Sequence, residues 1–339
     1  MNPRRAAFKI ALIVAVLAAI AGGRALRYRR FLARPYPPEA GAIEVDVPPG
    51  ASLRQVARLL ESSRVVASAR MFRRLAKTRR EAGRVQAGDY EFQTPIRPGD
   101  VLSALVHGRV KVRQFTIPEG CDLRQIAQVV AGTGSATAEA CLGRARSAPT
   151  AAAFGIQADS LEGYLFPATY RYRRTTTLDE LLTMMVRRFR AVFGPTFEEQ
   201  AREKDLTVHQ VVTLASIVEK ETGRPEERPR VAAVFLNRLR LGMPLQADPT
   251  VIYGLPAPDG SLTREALATP TPYNTYVIHG LPPGPICSPG EASLRAVLWP
   301  DDADDLYFVA RNDGTHEFNR TYPAHAKAVR RYQIQGGLP

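Results

Sequence analysis

A helical period of apolar positions runs through Thr207-Val-His-Gln-Val-Val-Thr-Leu-Ala-Ser-Ile-Val-Glu-Lys-Glu-Thr222. At about 100° per residue, Val208, Val212 and Ala215 share one stripe, Val211 lies at its edge, and Glu219 falls in its middle. Lys220 and Glu221 point elsewhere. A carboxyl on an apolar face is desolvated, which raises its pKa. An acid still protonated near neutral pH can act as a general acid. Leu214 and Ile217 are apolar on other faces and blur the stripe. The alternative is a helix-end glutamate that reaches solvent or pairs with an arginine.

The same reading places other elements. A helix rich in Leu, Met and Arg is predicted over Thr177–Phe193, stopped by Gly194-Pro195. A second buried helix is predicted over Pro229–Leu241, closed by Gly242 and Pro244. The chain end reads as a strand at Leu306–Ala310, a turn at Asn312-Asp-Gly314, a short strand through Phe318 and a helix from about Pro323. Between them, Thr269–Gly290 is Pro/Gly-rich and irregular, as cleft walls often are.

An internal repeat precedes these elements. Val45-Asp-Val-Pro-Pro-Gly-Ala-Ser-Leu-Arg-Gln-Val-Ala57 matches Phe115-Thr-Ile-Pro-Glu-Gly-Cys-Asp-Leu-Arg-Gln-Ile-Ala127. Each copy reads as strand, Pro-x-Gly turn, N-cap (Ser52 or Asp122) and amphipathic helix. A weaker echo is Ile96–Leu105. Such units resemble LysM-like modules, which bind glycan strands; a plain folding unit without a ligand is the alternative. Strands and helices mix without regular βαβ alternation, so the expected fold class is α+β.

Charge changes the picture at one end. Residues 1–34 hold Arg4, Arg5, Lys9, Arg24, Arg27, Arg29, Arg30 and Arg34 with no acid, which is +8 of the net +13. These charges flank the apolar run Ile10–Gly23, as in membrane-anchored segments. The run is short against the ~20 residues of an ideal span. It reads as an uncleaved anchor, with a cleaved signal peptide or a buried helix as alternatives. A nucleic-acid partner is not expected, because the body lacks a basic stripe interleaved with aromatics. Three widely spaced cysteines and five scattered histidines give no metal or cofactor pattern. The expected layout is a cytoplasmic tip and transmembrane anchor over 1–27, a linker over 28–42, a LysM-like region over 43–130, a connector over 131–157 and a second domain, holding the Glu219 helix, over 158–335.

The second half resembles the endolytic murein (peptidoglycan) transglycosylase family, the YceG-like proteins. The carrying motifs are Glu162-Gly-Tyr-Leu-Phe-Pro167, Ala215-Ser-Ile-Val-Glu-Lys-Glu-Thr222, Val231-Ala-Ala-Val-Phe-Leu-Asn-Arg-Leu239, Leu245-Gln-Ala-Asp-Pro-Thr-Val-Ile-Tyr-Gly254, Pro272-Tyr-Asn-Thr-Tyr276 and Gly280-Leu-Pro-Pro-Gly-Pro-Ile286. Ala168 departs from the family pattern. The resemblance implies a single-pass protein of the inner membrane whose body faces the wall. It implies cleavage of nascent glycan strands beside N-acetylmuramic acid, leaving 1,6-anhydro ends and terminating strand elongation. The implied partners are peptidoglycan strands and the synthases of elongation or division. By the Ser-Ile-Val-Glu-Lys-Glu motif, the family's single catalytic glutamate falls on Glu219.

Most glycoside hydrolases need two carboxylates. A lytic transglycosylase needs one, as acid first and base second. Asp248 is read as a substrate-orienting group, a second carboxylate or the cap of a helix at Pro249. Gln246, Asn274 and Asn319 suit hydrogen bonds to sugars. Tyr164, Tyr253, Tyr273 and Tyr276 offer flat faces for sugar rings, and Glu162 is placed on the cleft wall. Each of the amides and tyrosines also has a plain packing role as its alternative, and Glu162 has pairing with an arginine as its own. Glu221 is read as a helix-end partner of Arg224 or Arg228. A lysozyme-like hydrolase and a non-catalytic wall-binding scaffold are the competing functions.

Overall fold

The computed structural model describes residues 3–255 and 262–334, with residues 3–11 as backbone only. Its fold class is mixed α+β, and the chain divides into two compact units. One holds residues 1–113 and 173–175; the other holds 114–172 and 176–339.

The first unit begins with helix α1 (Pro3–Ala33) and strand β1 (Tyr36–Val47). Helices α2 (Leu53–Ser62) and α3 (Ala69–Thr78), strand β2 (Gly88–Ile96) and helix α4 (Pro98–Val106) follow. β1 and β2 pair antiparallel, with Val45 opposite Tyr90. Period-two alternation buries Val45, Val47, Tyr90 and Phe92 against Val56, Leu60, Phe72, Leu102 and Leu105 from the helices. The linker expected over 28–42 is instead the end of α1 and the start of β1. Prolines 37 and 38 are tolerated there because the pairing register shifts between Tyr36 and Gly41. The expected transmembrane anchor lies in α1, partly where only backbone is described. Among the described residues no helix is long and apolar enough to cross a membrane. Leu12, Ile13, Val14, Val16, Leu17 and Ile20 are nevertheless exposed along α1.

The second unit opens with β3 (Arg113–Thr116), α5 (Leu123–Ala131), α6 (Ala138–Ala145) and α7 (Ala148–Ala153). Next come β4 (Thr169–Tyr172), which pairs with β3, then α8 (Leu178–Val192) and α9 (Pro195–Glu203). α10 (Val208–Glu221), α11 (Arg228–Arg240), α12 (Asp248–Gly254), α13 (Arg264–Ala268) and α14 (Glu291–Leu298) complete the helical body. The hairpin β5 (Tyr307–Ala310) and β6 (His316–Asn319) leads to α15 (Tyr322–Val329). α9 is a helix the sequence reading missed: Pro195 ends one helix and, at the first helical position, starts the next.

The sequence repeat is a structural repeat, one copy in each unit. Gly50 and Gly120 both take the left-handed conformation, at φ +74° and +75°. Ser52 and Asp122 cap α2 and α5 with the same reciprocal hydrogen bonds, from Gln55 and from Gln125.

α10 is the axis of the second unit. Thr207 and Gln210 box its start, and Val211 to Val218 are buried on every face. α11 and α14 pack along it, and Ser216 Oγ accepts the Ile286 N–H at 3.0 Å, fixing the irregular loop to the helix.

Candidate active site

α10 ends in two glutamates that point to opposite sides, since two residues are about 200° apart on a helix. Glu219 turns inward. Arg228 Nη2 donates to its Oε1 at 2.9 Å, and the Gly290 N–H donates to its Oε2 at 3.0 Å. The Glu219 side chain is only 5% exposed and that of Arg228 9%. The carboxylate joins the end of α10 to Arg228 in the first turn of α11 and to Gly290 at the cap of α14. Glu119 stands 3.8 Å from the same guanidinium. Glu219 is therefore the arginine-paired glutamate of the alternative reading, and it lines neither of the two cavities described next.

Glu221 turns to a cleft of about 340 Å³, lined also by Arg238, Gln246, Asp248, Tyr276, His316 and His325. Among the described residues its carboxyl has no hydrogen-bond or ion-pair partner. Burial pushes its pKa up to about 8, Asp248 adds to the rise, and Arg238 opposes it. Arg238 is held by the carbonyls of Leu306 and Leu245, both at 2.7 Å, so its charge is fixed at the cleft wall, with no carboxylate ion-paired to it among the described residues. The expected arginine-paired role of Glu221 is thus filled by Glu219.

Asp248 does not cap α12: Ala247 holds that position, and no side chain caps the helix. Instead the Tyr276 hydroxyl donates to Asp248 Oδ1 at 2.5 Å. Gln246 stands before them at φ +53°, its N–H bound to Thr275 O. Gln246, Asp248 and Tyr276 are the predicted residues that meet in this cleft.

Tyr253 belongs to a second hollow of about 630 Å³, lined also by Asp122, Arg124, Gln125, Lys220, Pro249 and Ile286. Chain neighbours Lys220 and Glu221, and Pro249 and Asp248, divide between the two hollows. The Tyr253 hydroxyl donates to Glu162 Oε2 at 2.9 Å, and its ring lies 4.8 Å from that of Tyr273. Glu162 is not an open cleft wall: it is 4% exposed, and both its oxygens accept the Leu123 N–H at the start of α5. Burial pushes it up to about 7, against the lowering effect of those hydrogen bonds.

Three predicted residues stand elsewhere. Asn274 is fully buried; it donates to the carbonyls of Leu267 and Thr269 and accepts the Tyr276 N–H, so it holds the loop rather than facing a sugar. Tyr164 is 2% exposed and bonded to His209 Nδ1 at 2.9 Å, away from Glu221. Asn319 ends β6 opposite Tyr307, outside the cleft lining. Gly163, between Glu162 and Tyr164, sits at φ +82°, where an added Cβ would lie 2.6 Å from Pro285 and 2.8 Å from Val212. Gly163→Ala is expected to destabilise the protein by about 2–5 kcal/mol, from backbone strain and overpacking together; a urea midpoint unchanged from the parent would refute the packing read here.

Arg238, His316 and His325 were missed because they come from three separate elements whose meeting no spacing announces. Periodicity did not single out the Glu221 side: a stripe marks a cleft-facing side only when the other sides are polar, and α10 is buried on every side from Val211 to Val218.

A family model describing the YceG-like family matches residues 45–331. The chain belongs to the YceG-like family. A Bacillus subtilis (strain 168) relative named endolytic murein transglycosylase is 30% identical over 327 residues, covering 91% of this chain and 90% of its own length. A relative of the same name from Streptococcus pneumoniae serotype 2 (strain D39 / NCTC 7466) is 32% identical over 90% of this chain, which spans 61% of that longer protein. The crystal structure of a YceG-like protein from Listeria monocytogenes superposes with a TM-score of 0.59 at 31% identity, covering 86% of this chain and all of that one.

Proposed function

We propose that this YceG-like protein is an endolytic murein transglycosylase that cuts peptidoglycan strands internally, between N-acetylmuramic acid and N-acetylglucosamine, and so terminates strand elongation. Glu221 is the acid, in place of Glu219. The observation that carries this is its unpartnered carboxyl at the cleft, whose pKa burial pushes up to about 8.

The chemistry follows from that proton. Glu221 gives it to the glycosidic oxygen as the bond to C1 breaks. Arg238, across the cleft, favours the carboxylate that remains. The sugar's own 6-hydroxyl loses its proton to a base and closes on C1, giving a 1,6-anhydro end without water. Asp248 with Tyr276, and Gln246, are the groups that orient the sugar. The second hollow, with Tyr253 on its wall, extends the groove for further residues of the strand.

A second reading rests on Asp248, a carboxylate close enough to Glu221 to raise its pKa. A lysozyme-like hydrolase would use the pair. Mass spectrometry of products from uncross-linked strands separates the two. Anhydro ends are expected; reducing ends would replace this reading with hydrolysis.

Unit 1, with its β1-α2-α3-β2 order, is proposed as the LysM-like part that holds glycan. α1, with its exposed apolar side and arginine flanks, is proposed to tether the body to the outer face of the inner membrane. The synthases of elongation or division are the proposed protein partners.

A further inference from the structure

We propose that His316 is a second catalytic residue of this cleft: its Nε2 takes the proton of the sugar 6-hydroxyl while Glu221 protonates the leaving oxygen. The inference rests on the Glu221 reading above and assigns the base that reading leaves open.

His316 is held as an oriented base would be. Glu227, the residue before α11, accepts the His316 backbone N–H at 2.9 Å with Oε1 and meets Nδ1 at 2.7 Å with Oε2. Two bonds from one carboxylate fix both the backbone and the ring. The ring also stands edge-on to Phe308, with centroids 5.4 Å apart. The His316 and Glu227 side chains are 13% and 14% exposed, so water competes little for the bond between them.

That bond decides the tautomer. A carboxylate accepts only, so Nδ1 carries the proton and neutral His316 keeps its lone pair on Nε2. Among the described residues Nε2 has no protein partner, and the residue lines the cleft with Glu221. Glu227 is the orienting group of the nucleophile–base–carboxylate logic, here without a nucleophile on the protein. Burial pushes the Glu227 carboxyl up, but the His316 bonds outweigh it and hold it below its ordinary value, so it stays ionised.

The step balances. O6 bonds to C1 as the C1–O bond to the next sugar breaks. The O6 proton goes to Nε2, and the Glu221 proton goes to the departing oxygen. His316 then carries the extra proton and Glu221 lacks one; transfer from Nε2 to the Glu221 carboxylate, directly or through cleft water, restores both. No oxidant, metal or second substrate is needed.

The charged and titratable groups that line the cleft with His316 are Glu221 from α10, Arg238 from α11, Asp248 from α12, Tyr276 and, from α15, His325; Glu227, just before α11, holds Nδ1. Active enzyme needs the lone pair free on Nε2 and Glu221 protonated, and ionisation of Glu221 gives the alkaline limb of the kcat profile.

The test measures kcat and KM against pH for the full-length chain in detergent, on uncross-linked strands, with His316→Gln, His316→Ala, Glu227→Gln and Glu221→Gln beside the parent. His316→Gln is expected to lower kcat about 10²–10³-fold and to leave KM within about threefold. Added imidazole is expected to restore part of the activity of His316→Ala. Glu227→Gln no longer forces the proton onto Nδ1, so the lone pair is lost from Nε2 in part of the molecules; kcat is expected to fall about tenfold or more with KM within about threefold, a split that a packing role would not produce. If the His316 variants melt early, that split decides. An unchanged kcat in Glu227→Gln, or a kcat kept within about threefold in His316→Gln, would overturn the proposal and return both proton steps to Glu221. Full activity of Glu221→Gln would sink the underlying reading instead, whatever the His316 variants do.

Discussion

Glu221→Gln is expected to lower strand cleavage about 10²–10⁴-fold, while Glu219→Gln keeps the reaction and loses stability. Glutamine matches glutamate in shape and cannot give up a proton to the leaving oxygen. At position 221 the change removes a cleft carboxyl that burial holds protonated up to about pH 8. At position 219 it weakens an ion pair with Arg228 that lines neither hollow. In the parent, activity is expected to fall as the pH rises through about 8, where Glu221 ionises.

Linkage separates this loss from unfolding. The folded state holds the Glu221 proton more tightly than the unfolded chain, so this group's contribution to stability is fully present below pH 4.5 and is lost as the pH rises through about 8. Glutamine does not titrate and carries no such loss. Glu221→Gln should therefore be inactive yet no less stable than the parent above pH 8, and its melting temperature should depend less on pH. The opposite pattern, an inactive Glu219→Gln with an active Glu221→Gln, would return the acid role to Glu219.

The local chemistry of the chain was legible. The repeat, its capping residues and its glycine turns all appear as the sequence pattern predicts, because each depends on neighbours within about four positions. The helices over 178–192 and 228–240 and the terminal hairpin were readable for the same reason. The face of α10 that meets the cleft was not. Periodicity gives the phase of a helix but not what packs on each side, and here every side from Val211 to Val218 is covered. Two glutamates two positions apart then differ only in their tertiary partners. Arg228 comes seven positions beyond Glu221 and Gly290 from the far end of the irregular loop, and together they take Glu219. The amide role proposed for Asn274 failed in the same way: the residue is polar and loop-borne, but the carbonyls of Leu267 in α13 and of Thr269 at the loop's start consume its donors.

Arg228→Met is expected to destabilise the protein by about 3–5 kcal/mol, which for a body of this size lowers the melting temperature by roughly 6–20 °C. Arg228 is nearly fully buried between Glu219 and Glu119, and removing it leaves the Glu219 carboxylate desolvated with the Gly290 N–H as its remaining hydrogen-bond partner among the described residues. The cost comes from the abandoned charge rather than from the lost attraction, because burying an ion pair already consumes most of its Coulombic gain. The double replacement Glu219→Leu with Arg228→Met should therefore recover much of what the single change loses, and a double-mutant cycle should give a coupling of several kcal/mol. Additive losses would mean that the two side chains do not depend on one another, contrary to the 2.9 Å contact. The activity of the double variant carries further information. Glu219 and Arg228 hold the ends of α10, α11 and α14, and Glu221 is two residues away on the helix they fix. If their role is to hold that end in place, a refolded, apolar-paired variant should cleave strands with the parent's alkaline limb and a reduced kcat. A complete loss in a variant of recovered stability would show that the pair does more than hold the fold.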